Sequence, residues 1–300
     1  MNLVDRAIVR VLPAVPRAIV RRVSAPYIAG PTLADARRVV RELNATGMRA
    51  TVDVLGEEIT RPEEAQAIAG AYHEALAAIE ADGLDANVSI KLTGFGLKLD
   101  RDLCGSLVRA LVRDAEATGR FVRIDMEDSS TTDETLALYR ELRAEGHERV
   151  GIVLQAALRR TLADIDSLAE LRPGVRLCKG IYVEPPSIAY QEFDAIRKSF
   201  VLALDALLEN GCRPAIATHD EWLIEQSLQR VARLDSAAYE LQMLLGVRTE
   251  RARGLVAAGH PLRIYVPYGQ QWYEYSLRRL QENPKVAGYV AKDVLGRVFR

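Results

Sequence analysis

The chain has 300 residues, 49% apolar and 27% charged, with a net charge of −1 at pH 7. That length suffices for one barrel-sized domain or two ordinary ones, and the near-neutral balance gives no global pull toward nucleic acid. No apolar run reaches the roughly 18 residues of a membrane-spanning helix, and Arg6, Arg10 and Arg17 interrupt every candidate signal-peptide core. Cys104, Cys178 and Cys212 lie far apart without a CxxC pair. They read as reduced cytosolic thiols and not as a disulfide frame or zinc site.

Residues 3–23 form a basic amphipathic segment. Leu3, Val4, Ala7, Ile8, Val11 and Leu12 can share a face, and Pro13 and Pro16 break or kink it. Such a segment can pack on the fold or sit on an anionic membrane surface. Thr32, with Asp35 three residues on, makes a capping-box-like start for a helix that runs to Asn44.

An alternation then sets in. Strands are predicted at Arg49–Val54, Ala86–Lys91, Phe121–Met126, Val150–Leu154, Val175–Tyr182, Pro214–Thr218, Ala237–Gln242 and Leu262–Val266. Pro267 and Gly269 are expected to break the last of these. Helices are predicted between them at Arg61–Asp82, Leu99–Thr118, Thr132–Glu145, Thr161–Leu171, Ile188–Asn210, Glu221–Leu234 and Arg248–Ala258. Gly119, Gly146, Gly211 and Gly259 stand where helices end. Alternation of this kind implies parallel strands with right-handed crossovers. Eight units in about 250 residues fit an α/β fold of the (βα)8 TIM-like barrel type. The rival doubly wound sheet should show a glycine-rich turn after the first strand, and Val54-Leu55-Gly56-Glu57 is not one. No linker or low-complexity stretch appears, so residues 1–300 are expected to form a single domain, with 1–48 as its N-terminal helices.

In a barrel, chemistry gathers at the carboxyl ends of the strands. Those ends carry Lys91, Asp125 with Met126, Glu127 and Asp128, Gln155, Arg176 with Lys179, Thr218-His219-Asp220, and Tyr265. Each has a plain alternative: a surface lysine, a solvated carboxylate, a helix cap. Two cations in an otherwise apolar fifth strand, however, call for an anion. Beyond the eighth strand a helical segment ends at Asn283-Pro284. Tyr275, Arg278, Arg279 and Glu282 share one face of it. Paired arginine forks suit a carboxylate or phosphate. Tyr265, Tyr268, Trp272, Tyr273 and Tyr275 cluster beside them, in a chain with only 2 Trp, 11 Tyr and 5 Phe, as the wall of a pocket would. The expected mouth therefore has more cations than anions and binds something negatively charged; a small carboxylate plus a phosphate-bearing cofactor would account for the number.

Three ordered segments carry a specific likeness: Arg176-Leu-Cys-Lys-Gly-Ile-Tyr182, Ala217-Thr-His219, and Arg263-Ile-Tyr-Val-Pro-Tyr-Gly269 followed by Arg278-Arg-Leu-Gln-Glu282. From about residue 49 to 284 the sequence resembles the proline dehydrogenase family, in the short monofunctional bacterial form. The resemblance implies FAD-dependent oxidation of L-proline to 1-pyrroline-5-carboxylate, the first step of proline degradation. Electrons would pass to a membrane quinone. Lys91, Arg278 and Arg279 would hold the substrate carboxylate, with Glu282 and Asp125 ordering the cations. Tyr265, Tyr275 and Leu244 would pack round the pyrrolidine ring, and Arg176 would lie beside the flavin. Met126, Gln155, Lys179, Gly180, Ile181, Thr218 and His219 would contact non-covalent FAD. The eighth helix would lie across the barrel mouth. A cytoplasmic enzyme follows, with peripheral contact to the inner membrane face as an option. Two positions depart from the family pattern: Ile181, where alanine is usual, and Leu241, where an aromatic is common. A Schiff-base barrel aldolase using Lys91 or Lys179 is the rival reading.

Overall fold

The computed structural model describes Val20 and residues 24–57, 59–273, 275 and 276. The basic segment at 3–23 (Val20 apart) and the Arg278, Arg279 and Glu282 face lie outside the described residues, as does any placement of an eighth helix over the mouth.

Eight parallel strands close into a barrel in sequence order, with β1 paired to both β2 and β8. They are β1 (Arg49–Val54), β2 (Ala86–Ile90), β3 (Val122–Ile124), β4 (Val150–Gln155), β5 (Gly174–Cys178), β6 (Arg213–Ala217), β7 (Glu240–Leu244) and β8 (Leu262–Tyr268). Helix α1 (Leu33–Asn44) precedes the barrel and packs on β8 and β1. The helices between strands are α2 (Pro62–Ala81), α3 (Arg101–Ala117), α4 (Thr132–Ala144), α5 (Thr161–Leu168), α6 (Phe193–Glu209), α7 (Glu221–Val231) and α8 (Thr249–Ala257).

Local chemistry sets the helix starts. Thr32 Oγ1 accepts the Asp35 N–H, and Asp35 Oδ2 accepts the Thr32 N–H at 3.1 Å, closing the predicted capping box of α1. Asp100 caps α3 by accepting the N–H groups of Asp102 and Leu103 at 2.9 and 3.0 Å. α2 starts with Pro62 at its first position, where a missing N–H costs nothing.

The main core lies between strands and helices. Val52, Val88, Ile90, Val122, Ile124, Ile152, Leu154, Val175, Leu177, Ile216, Ile264 and Val266 are all buried there. The alternate strand positions are different in kind. Thr51, Asp53, Ser89, Arg123, Gln155, Arg176, Glu240, Gln242 and Arg263 are buried polar or charged groups. Their contacts run strand to strand across the inside: Arg176 on β5 reaches Ser89 on β2 and Gln242 on β7. The barrel interior is thus hydrogen-bonded, where branched apolar side chains usually fill such a space. Arg263 donates to Glu240 at 3.0 Å and to the Ala50 carbonyl at 2.6 Å, and Arg123 donates to the Ile152 carbonyl at 2.9 Å. Burial opposes the Glu240 charge, but Arg263 outweighs it and holds the carboxyl down at about 2. Gly151 makes the Arg123 crossing possible, because a Cβ there would lie 2.7 Å from the guanidinium.

Several boundaries differ from expectation. β3 ends at Ile124, two residues before the predicted Met126. β5 ends at Cys178, four residues before the predicted Tyr182, as the chain leaves the strand at Gly180 with φ +96. α6 starts at Phe193, five residues after the predicted Ile188, because the Tyr190 N–H is drawn to the Ala157 carbonyl at 2.8 Å. β7 begins three residues later than predicted, because Ala237 and Ala238 belong to a turn in which the Ala237 N–H is held by Asp235 Oδ1 at 2.7 Å. β8 runs through Pro267 instead of ending before it. The Tyr265 carbonyl faces β7 and the Tyr268 carbonyl faces β1. By the strand period of two, Pro267 turns its missing N–H toward β7, which has already ended at Leu244.

Candidate active site

At the carboxyl ends of β1, β2, β3, β5 and β8, five side chains form one connected network. Lys91, just past β2, donates to Asp53 Oδ1 at 2.8 Å and to the Tyr265 hydroxyl at 3.2 Å. Tyr265 donates to Asp125 Oδ2 at 3.0 Å. Asp125 Oδ1 accepts from Ser89 at 2.7 Å and from Arg176 Nη1. Arg176 Nε is fixed by Gln242 at 2.6 Å, and its guanidinium lies 5.3 Å from the centre of the Tyr265 ring. Glu57 and Asp125 stand 3.6 and 3.8 Å from the Lys91 ammonium.

The electrostatics follow from burial and company. Burial opposes charge on Lys91, but Asp53, Asp125 and Glu57 outweigh it and hold the ammonium well above the usual lysine value. Asp53 is fully buried; desolvation raises its carboxyl although Lys91 pulls it down, and its Oδ2 has no hydrogen-bond partner. Burial, then the charges of Asp125 and Asp53, push the Tyr265 phenol well above 10. Glu127 is raised by burial even though the Thr93 N–H (3.0 Å) and hydroxyl both donate to it.

Of the five cations expected in surplus at the mouth, the three that are described are each matched, Lys91 by Asp53, Arg176 by Asp125, and Lys179 by Asp220 at 3.1 Å, while Arg278 and Arg279 lie outside the described residues. Asp53 is the residue that sequence reasoning missed. Its signal was a lone acid on the same face as Thr51 in an apolar parallel strand, a position that cannot be solvated.

The second group of candidates lines the ends of β3 to β7. Gln155 Nε2 donates to the Met126 and Glu127 carbonyls, both at 3.1 Å, tying β4 to β3. Gly180 has φ +96, and a Cβ there would sit 3.2 Å from the Gln155 Cβ and 3.3 Å from the Ala157 Cβ, so the chain packs closely on the end of β4 at a point that favours glycine. Ile181 beside it is exposed. Asp220 joins Lys179 to Arg197, whose guanidinium donates to it at 2.7 and 2.8 Å; burial opposes its charge, but those two cations hold the carboxyl at about 2. Lys179 and Arg197 both face the exposed Phe193 ring, at 4.7 and 4.2 Å. Thr218 Oγ1 accepts the Asp220 N–H at 3.1 Å, and His219 Nε2 accepts the Leu244 N–H at 2.9 Å, linking β6 to β7. Leu244 is half-buried at the end of β7. Tyr275 is buried with Ile28 and Leu55 in a small satellite cluster, against which Trp272 packs.

A closed parallel barrel with its ionisable network at the strand carboxyl ends has the architecture of a (βα)8-barrel enzyme. The family model for proline dehydrogenase matches residues 36–292, and the chain belongs to that family. It is 38% identical over 271 residues to proline dehydrogenase 1 of Bacillus subtilis subsp. natto, covering 90% of this chain and 89% of that protein. It is 35% identical over 275 residues to the proline dehydrogenase of Deinococcus radiodurans, covering the same shares. Among solved structures, proline utilization A (PutA) from Bdellovibrio bacteriovorus, inactivated by N-propargylglycine, superposes with a TM-score of 0.81 at 26% identity. That match covers 87% of this chain and 32% of the other, so the chain spans about a third of that protein.

Proposed function

We propose that the chain oxidises L-proline to 1-pyrroline-5-carboxylate with non-covalently bound FAD and delivers the electrons to a membrane quinone. The observation that carries this reading is the Arg176–Asp125–Tyr265–Lys91–Asp53 network, set at the ends of five strands in a member of the proline dehydrogenase family. When bound, the flavin supplies a two-electron acceptor for the hydride on the proline carbon beside the ring nitrogen.

The chain's own residues bind and orient. Lys91, Arg278 and Arg279 take the substrate carboxylate, while Asp125 orders Lys91 and Arg176 and Glu282 orders the arginine pair. Tyr265, Tyr275 and Leu244 keep water from the ring. The substrate amine must shed a proton as its C–N bond becomes C=N, so the rate rises toward alkaline pH. Met126, Gln155, Lys179, Gly180, Ile181, Thr218 and His219 would hold FAD, with Arg176 beside its ring. Apolar Met126 and the cations Lys179 and Arg197 flanking an exposed Phe193 suit an aromatic group bearing phosphates. Burial raises the Cys178 thiol to about 11, which makes it a poor nucleophile for a covalent link.

In this reading residues 1–300 are one domain, 1–48 are its N-terminal helices, and the segment after β8 crosses the mouth. The enzyme works in the cytoplasm, and the basic 3–23 segment is the candidate for contact with the membrane that holds the quinone. A Schiff-base aldolase using Lys91 or Lys179 is disfavoured because its lysine must shed a proton to attack, whereas Lys91, despite its burial, is held charged by Asp53, Asp125 and Glu57 and Lys179 is paired with Asp220 at 3.1 Å. Purified protein should be yellow, and acid precipitation should release the colour into the supernatant. A colourless protein that takes up no added FAD would refute the flavin reading; colour kept in the pellet would refute the non-covalent one.

A further inference from the structure

Residues 179–192, between β5 and α6, form the longest strand-to-helix connection among the described residues. They carry Lys179, Gly180 and Ile181. Both ends of the connection are tied to the neighbouring β4–α5 loop: Ala157 N–H donates to the Lys179 carbonyl at 2.8 Å, and Tyr190 N–H donates to the Ala157 carbonyl at 2.8 Å. Arg159 reinforces the second tie, donating to the Pro186 carbonyl at 2.9 Å and stacking on Tyr190 at 4.5 Å. The middle bulges outward, with Ile181 46% and Val183 101% exposed.

From that bulge Glu184 reaches across to the loop after β3. Its Oε1 accepts the Ser129 N–H at 2.7 Å, and its Oε2 accepts the Ser129 hydroxyl at 2.7 Å. One residue takes both oxygens of the carboxylate, a two-point clasp that fixes direction as well as distance. Ser129 follows Asp125, Met126 and Glu127 by a few residues and opens the short 3-10 turn Ser129–Thr131. Gln191 Nε2 holds the Glu184 carbonyl at 3.1 Å, so the clasp is braced from its own loop.

We propose that Glu184 is a positioning residue for the cofactor subsite: by clasping Ser129 it sets the spacing between Met126 on the β3 side and Gly180-Ile181 on the β5 side, and so governs how tightly FAD is held. The proposal rests on the flavin reading above. Gln155 joins β3 and β4 beneath that gap through its bonds to the Met126 and Glu127 carbonyls, which fixes the floor. Glu184 fixes the lip. Nothing else in the proposed chemistry uses this carboxylate.

The test is flavin release from the holoprotein on dilution, followed by the recovery of free-flavin fluorescence. Four variants are compared with wild type: Glu184→Ala, Glu184→Gln, Ser129→Ala and Ser129→Thr. Glu184→Ala should raise the FAD dissociation constant about 10- to 100-fold, as loss of a charge-assisted hydrogen bond does. Glu184→Gln should fall between it and wild type, because an amide can accept only one of the two bonds. Ser129→Ala should lose less than Glu184→Ala, since the backbone bond survives, and Ser129→Thr should restore most of that loss. Excess FAD should return the thermal midpoint of each variant to the wild-type value. Wild-type affinity in Glu184→Ala overturns the proposal and leaves the flavin reading intact. A lowered midpoint that excess FAD does not restore also overturns it, showing a merely structural clasp. A wild-type protein that binds no FAD overturns both.

Discussion

Replacing Lys91 by methionine tests the network at its most buried link. The Lys91 side chain is 12% exposed, and its ammonium stands 2.8 Å from Asp53, whose side chain is wholly buried. At an effective dielectric of about 20 that attraction is about 6 kcal/mol before desolvation is subtracted. Breaking one side of a buried pair costs about 3–5 kcal/mol, because the remaining charge is stranded. Lys91→Met should therefore lower unfolding stability by that amount at pH 7, and adding Asp53→Asn should recover a large part of it. The pH dependence has a definite sign. Burial already raises the Asp53 carboxyl against the pull of Lys91, and without Lys91 it rises further. A carboxyl raised in the folded state is a penalty above its folded pKa that vanishes below its unfolded value of about 3.9. The deficit of Lys91→Met should thus shrink as pH falls from 7 toward 4. Urea unfolding of wild type, both single variants and the double variant across that range gives the cycle. Additive losses, or a deficit independent of pH, would show that the Lys91–Asp53 pair is not the coupled unit described.

Arg278→Ala and Arg279→Ala should each raise the KM for L-proline about 10- to 150-fold, the worth of a charge-assisted hydrogen bond to a carboxylate, with little effect on bound flavin; steady-state kinetics on both variants checks this, and two unchanged KM values would remove the clamp. Arg176→Met should lower the flavin midpoint potential and slow reduction by proline while the proline Kd stays near wild type, because a cation beside the ring favours its electron-rich form; a potentiometric titration with an unmoved potential would assign Arg176 to holding Asp125 alone. Tyr265→Phe removes the hydroxyl that bridges Lys91 and Asp125, so proline turnover should fall at least several-fold at neutral pH with the thermal midpoint lowered by only a few degrees, as loss of two hydrogen bonds worth about 1 kcal/mol each implies for a chain of this length.

The barrel was legible because its signals are local. Amphipathic helices, the Thr32–Asp35 box and glycines at helix ends all act within a few residues, and the helix ranges agree with the structure within about three positions except at the start of α6, which lies five residues after the predicted Ile188. β7 and Pro267 were misjudged for the opposite reason. Ala237-Ala238 carries only methyl side chains, which do not reveal a turn held by Asp235, and Pro267 is tolerated because β7 ends beside it. The partners of Lys91, Arg176 and Lys179 could not be read from the sequence, because pairing is a property of the closed barrel. Asp53 lies in β1 and Lys91 just past the neighbouring β2, yet nothing in the separation of 38 residues announces that they meet. A usable signal was present all the same. Thr51 and Asp53, Ser89 and Lys91, and Arg123 and Asp125 recur with period two in strands that should be apolar on both faces. That pattern marks a polar interior. The Glu184–Ser129 clasp carries no such periodicity, and only the fold brings it together.

Anaerobic mixing of the purified holoprotein with L-proline tests the central claim most directly. The account predicts that the flavin absorbance bleaches and that 1-pyrroline-5-carboxylate appears in a one-to-one ratio with reduced flavin. Flavin that stays oxidised in the presence of saturating L-proline, in a protein whose FAD is fully bound, would contradict it.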